Sequence, residues 1–344
     1  MDEFKPNLLP TAVGSLPHEG AKEACELVLK YLPHIPAWPQ LPKRTFLENM
    51  YAQFSEGFPG IVLEGERVYV DRGRDLDPGL ERLYVAYLEN DIGYGATSPS
   101  YAAGLAAFLQ RLSAISHQPL AVKGQVTGPI SWGLTVVDEN RRPILYDEVL
   151  ADAAAKHLRL KATWQERELR KVSPTTIIFV DEPYLSAFGS AFISLSKERV
   201  VQYLEEVFAG IEGIKGIHCC GNTDWSLVLS TSLDILNFDA YNYAESLSLY
   251  PEDVKGFLKR GGLIAWGIVP NDERVMDESV ESLVQRLHDA MGLLVERGVP
   301  FDDMINAALI TPSCGLRSLS IEEAERALEL TAAVSAAMRE RYLR

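Results

Sequence analysis

Residues 217–225 read IHCCGNTDW, which sets His218 beside two of the chain's four cysteines, Cys219 and Cys220. In an extended strand, positions i and i+2 share a face. His218 and Cys220 therefore point one way and Cys219 the other. An imidazole nitrogen and a thiolate on one face suit a soft or borderline cation, zinc first among them. Two ligands are too few for a stable site. Cys314, in TPSCGL, offers a second sulfur. Cys25 lies among Ala24, Leu27 and Val28 of a helical pattern, so it reads with Cys219 as a packed apolar residue. A carboxylate could complete the set, Asp239 in NFDAYN first and Glu245 in reserve. Spacing alone also fits a buried histidine and inert core thiols.

For chemistry to follow, the chain must bring these residues together. Short apolar, β-branched runs predict eight strands, at 11–15, 34–38, 119–126, 175–181, 214–220, 233–240, 262–269 and 305–311. Amphipathic helices are predicted between them, at 22–32, 145–172, 197–211, 279–298 and 320–343, the last opening on the capping-box spacing Ser320 to Glu323. This alternation predicts an α/β fold, a (β/α)8 TIM barrel forming one domain over residues 1–344. Residues 40–118 form an elaborated connection between the second and third strands, holding helices and an apolar hairpin, GIVLEGERVYV. Working groups of such barrels sit at the C-terminal ends of the strands. Ser15, Trp38, Thr127, Asp181, His218, Cys220, Asp239 and Cys314 all fall at or just past those ends.

Composition narrows the partners. Lys and Arg number 33 against 48 Asp and Glu, a net charge of −15. That leaves no basic footprint for nucleic acid and disfavours an anionic membrane surface. No apolar run is long enough to span a bilayer, and MDEFKPNLLP lacks a signal-peptide core. A cytoplasmic enzyme with reduced thiols and a small-molecule substrate is expected.

TAVGSLP, KGQVTGPISWG, FVDEP, the His-x-Cys element and PSCGL occur in an order that resembles the catalytic barrel of cobalamin-independent methionine synthase, within the superfamily that includes uroporphyrinogen decarboxylase. HCCGNTD is also similar to zinc-dependent enzymes that methylate coenzyme M from a corrinoid protein. The resemblance implies a methyltransferase of methionine biosynthesis, with catalytic zinc on His218, Cys220, Cys314 and a carboxylate at the place of Asp239. It implies that Ser15 meets the carboxylate of homocysteine and Asp181 its ammonium. Apart from the resemblance, Glu182 and Thr127 read as further polar contacts of the substrate, Glu182 otherwise pointing outward. Methionine synthase carries a second, N-terminal barrel that helps bind polyglutamyl folate, and the first predicted strand here begins at residue 11. The donor is therefore folate or a methyl-corrinoid (methylcobalamin or a corrinoid protein).

Other readings stay open at this stage. Thr127, Gly128 and Pro129 either line the donor side or shape a loop, and Trp38, Trp132 and Trp266 either stack on a flat donor or fill the core. Asn222 and Asp224 either orient ligands or start a helix, and His18 reads as a surface residue, with proton acceptor as the other reading. Coenzyme M as acceptor, a metal-free decarboxylase and a non-catalytic zinc-binding barrel are the competing functions.

Overall fold

The computed structural model describes residues 4–115, 118–190 and 194–343; residues 116 and 117 of the predicted long connection lie outside them. Six strands pair in parallel in chain order: β1 (Val122–Thr127), β2 (Thr176–Asp181), β3 (Ile214–Cys219), β4 (Ile235–Phe238), β5 (Leu263–Val269) and β6 (Ala308–Pro312). They are buried almost throughout, as strands of a parallel sheet covered on both faces are. β6 starts later than the pattern predicts, because Phe301–Asn306 form a short helix.

The two N-terminal predictions need correcting. Residues 11–15 and 34–38 form no ladder. They are extended segments that make isolated parallel bridges, Pro10 with Ile310, Ser15 with Gln40 and Ala37 with Lys123. Pro10, Pro36 and Pro39 lack the N–H that a ladder would use. Even so, both edges of the six-stranded sheet are met. Thr11 N donates to Ile310 O (3.0 Å) and Trp38 N to Lys123 O (3.1 Å). The two segments also meet each other, through Leu16 N to Gln40 O at 2.9 Å and Gln40 N to Gly14 O at 3.1 Å.

Two apolar clusters follow. The large one lies between the sheet and its helices. A small one draws Leu9, Ile35, Ile177, Phe179, Ile235 and Leu309 from separate segments. Each fully buried side chain of this kind stabilises the fold by roughly 1.5–3 kcal/mol. Two residues further along the same strands the chemistry turns polar: Phe179 gives way to Asp181, Ile235 to Asn237 and Leu309 to Thr311. The small cluster thus floors a polar end at the C-terminal side of the strands.

The helices cover the outside. Glu148–Leu169 is capped by Asp147, and Ile321–Tyr342 carries the predicted Ser320–Glu323 capping box. In the long connection, Ile61–Glu64 and Arg67–Val70 form the predicted hairpin, and Val137–Asp138 joins it as a third strand. Short helical turns at Phe46–Glu48 and Met50–Gln53 lead this excursion, and helices Asp77–Leu88 and Ala103–Ser113 follow.

Candidate active site

His218 lies on β3 and Cys220 one residue past it, while Cys314 follows β6. The ligand atoms of the three all lie within 4.8 Å of one another. Their neighbours fix how the imidazole is presented. Asn237, paired with His218 in the β3–β4 register, donates its amide to Ala265 O (2.9 Å) and to Thr311 Oγ1 (2.8 Å). Its Oδ1 is thereby turned to His218 Nδ1, at 2.6 Å. An oxygen acceptor there requires the proton on Nδ1. The Nε2 lone pair then faces Cys314 Sγ, at 3.4 Å. One nitrogen and two sulfurs converge, with the histidine's far side anchored, and this donor set fits zinc.

The thiols are electrostatically unequal. A hydrogen bond from Cys314 holds Cys220 well below an ordinary thiol, helped by His218 and opposed by burial. The same contact, with burial, pushes Cys314 up. Cys219 faces away into the core, fully buried, and burial pushes its thiol up to about 12.

A cavity of about 300 Å³ opens over this group, with Ser15, Glu48, Tyr51, Asp181 and Arg317 on its walls. Two of these groups carry unmet hydrogen-bonding capacity. Asp181 Oδ1 and Glu48 Oε2 are buried without a hydrogen-bond partner among the described residues. The other oxygen of Glu48 takes Arg44 Nη1, at 2.7 Å. Burial pushes the Asp181 carboxyl up to about 6, against the pull of His218 and Lys123. Two carboxyl groups with unmatched oxygens form a place for a cationic ligand group.

The serine is held by its surroundings. Gly14, at φ +144°, lets the chain turn before Ser15, and a Cβ there would meet Gln125 Oε1 at 2.6 Å. Below it Lys123, wholly buried, donates to Val13 O (2.7 Å) and to Gln125 Oε1 (3.3 Å), with its ammonium 4.1 Å from the centre of the Phe179 ring. Above it, Leu316 N donates to Ser15 O at 2.9 Å, which ties the serine to the Cys314 loop.

Several predicted residues take other work. The buried Glu182 carboxylate accepts from Ile130 N, Ser131 N and Ser131 Oγ, clamping the start of helix Pro129–Thr135. Thr127 Oγ1 donates to Met50 O, at 2.7 Å. Asp239 is not among the three residues whose donor atoms converge; its carboxylate caps helix Ala240–Ser248 through Asn242 N and Nδ2. Glu245 is exposed on that helix, and Asn222 is exposed as well. Asp224 caps Trp225–Leu229 and pairs with Lys197.

Trp38, Trp132 and Trp266 are buried core residues, none of them lining the cavity; the first two donate to Gln165 Oε1 and Tyr51 O. His18, read as a surface residue, is only 6% exposed. Glu48, Tyr51, Asn237 and Arg317 carry no motif that would have marked them. For Asn237 a signal did exist: a lone amide inside the apolar run LDILNF.

The fold defines a class, an α/β protein with a curled parallel sheet and its polar groups at the strand C-termini. Among solved structures the chain is similar to a B12-independent methionine synthase from Shewanella sp. W3-18-1 in complex with selenomethionine, at 17% identity and a TM-score of 0.60, covering 98% of this chain and 99% of that one. It is also similar to a methyltransferase from Methanosarcina mazei, at 12% identity and a TM-score of 0.62, covering 100% of this chain and 95% of that one. At these identities the likeness is one of fold. No protein-family model and no curated protein sequence matches the chain.

Proposed function

We propose that the protein is a zinc-dependent methyltransferase that activates a small amino-acid thiol, homocysteine in the first place, and yields a thioether, methionine. One observation carries this reading. A nitrogen and two sulfurs, from His218, Cys220 and Cys314, converge within 4.8 Å beneath a cavity that also holds Ser15, Asp181 and Glu48. The two structural neighbours named above, one a methionine synthase and the other a methyltransferase, support it. We read the six strands and the two bridged segments as a single (β/α)8 barrel, with residues 40–118 as an excursion that lends Glu48 and Tyr51 to the pocket.

His218, Cys220 and Cys314 would hold the ion. A zinc ion there supplies the Lewis acidity that turns a thiol into a thiolate at neutral pH. Asp239, occupied as a helix cap, would not be one of the residues that hold it. Ser15 faces the substrate carboxylate, and Asp181 and Glu48 receive its ammonium, so that the sulfur is presented to the donor in one orientation. The sulfur then attacks the methyl carbon. The S–C bond forms, the bond from methyl to donor breaks, and its electron pair stays with the donor. The proton released from the thiol balances the charge.

The buried carboxyl oxygens favour an aminothiol over coenzyme M, which has no ammonium to meet them. They also disfavour a decarboxylase of polycarboxylates, whose substrate they would repel. The test is metal content followed by turnover. The parent should carry about one equivalent of zinc and Cys314→Ser should lose most of it. Methyl transfer should proceed with homocysteine and not with coenzyme M, with methyltetrahydrofolate and methylcobalamin offered in turn. A protein without zinc, or one that holds zinc and transfers no methyl group, would overturn the reading.

A further inference from the structure

The cavity over the His/Cys/Cys group does not end at its mouth. Pro42, Arg317 and Ser318 line it and also line a second cleft of about 630 Å³, whose wall adds Lys43 and Phe46. The two spaces meet on the loop that carries Cys314. Arg317 lies three positions after Cys314, at most roughly 10 Å of extended chain. One short segment therefore turns a sulfur inward and a guanidinium outward.

Charge in the cleft runs against that of the whole molecule. The chain carries a net −15, yet in the cleft Lys43 and Arg317 stand against Glu66 alone. The nearby Arg44 is taken by Glu48, and Arg274 by Asp272. Arg317 is exposed and makes no ion pair or hydrogen bond among the described residues. Lys43 is steadied by donating Nζ to Leu319 O, at 3.0 Å, so both cations are tied to the same loop. The field of Arg317 also reaches Tyr51 in the inner cavity, where it acts to lower a phenol that burial has pushed up to about 12.

We propose that Arg317 and Lys43 form an anion subsite for the methyl donor. A carboxylate or phosphate of the donor lies against them in the outer cleft while its methyl group reaches the sulfur in the inner cavity. A guanidinium presents the fork that either anion accepts. The proposal rests on the methyltransferase reading and adds what that reading leaves open, the charge class of the second substrate.

The experiment uses the zinc-loaded protein and Arg317→Gln, Lys43→Gln and the double variant, all surface changes that leave the core intact. Three donors are compared with homocysteine as acceptor: methyltetrahydropteroylglutamate, with its carboxylates; methylcobalamin, with its phosphodiester; and methylcobinamide, which has neither. For the donor that uses the subsite, Arg317→Gln should raise KM by about three- to tenfold, and the parent's KM should climb with ionic strength more steeply than the variant's. Zinc content and the KM for homocysteine should stay put. An effect confined to the folate names a carboxylate as the anion, and one confined to methylcobalamin names a phosphate.

Equal effects on all three donors, or none on any, would overturn the subsite. Tryptophan-fluorescence titration with pteroylglutamate and with cobalamin gives a readout that needs no turnover. Weaker binding to Arg317→Gln supports the subsite even if homocysteine proves to be the wrong acceptor. Binding equal in parent and variant, or absent from the parent, refutes it whatever the acceptor.

Discussion

Asn237 decides which nitrogen His218 turns toward the two thiols. Its amide is spoken for by Ala265 and Thr311, so its oxygen can only accept, and the imidazole proton is held on Nδ1. Asn237→Leu should keep the strand but free the ring. Zinc affinity, measured by competition with a chromophoric chelator, should fall by about 10- to 100-fold, with the far-UV spectrum unchanged. Gly14 makes the matching argument on the substrate side. Gly14→Ala sets a Cβ against Gln125 at a φ of +144° that an L-residue rarely adopts. It should raise KM for homocysteine, while a thiol without a carboxylate, such as cysteamine, is bound as before. Of these residues, His218 and Cys220 were legible as a pair because a strand's two-residue period sorts them from Cys219, and Cys314 because it follows another strand end. Glu48 was not, since nothing local tells a buried acid from a solvated one in the stretch LENMYAQF. Its role arises only when the excursion folds back over the cavity.

At the scale of elements, the apolar runs located all six strands of the parallel sheet, and the helical periodicity located the long helices, the last of them with its cap. The two N-terminal segments were read as strands because composition reports what is buried, and a bridged segment rich in proline is buried as a strand is. The same blindness hid His157. This residue sits within helix Glu148–Leu169, wholly buried, 2.8 Å from Phe54 O through Nε2 and edge-on to Phe58. Burial, with Lys161 adding to it, pushes the imidazole down to about 3, though contact with the Phe54 carbonyl works the other way. Unfolded, the same group titrates near 6.5. A depressed pKa means stability that is whole above 6.5 and drains as the pH falls toward 3, because the unfolded chain takes up a proton the native state refuses. The slope is at most about 1.4 kcal/mol per pH unit. His157→Gln keeps a donor for the Phe54 carbonyl and cannot titrate. Urea unfolding at a series of pH values should show the parent losing stability faster than the variant between those limits, and a constant difference above pH 7.

The whole molecule depends on a seam. Residues 8–16 bind the last strand on one side and the Gln40 segment on the other, and the Cys314 loop is hooked to Ser15. No helix among the described residues is long and apolar enough to cross a membrane. Removing residues 1–12 should expose β6 as an unpaired edge. The shortened chain should aggregate on heating and bind zinc weakly, read by light scattering and by metal content, although His218, Cys220 and Cys314 are all still present.

The seam also sets a clock. On the ribosome, Ser15 is made 299 positions before Cys314, so the pocket cannot close until the Cys314 loop has followed. Until that loop is made, Asp181, Glu48 and the earlier thiols wait without it, and contacts of such high sequence separation form slowly.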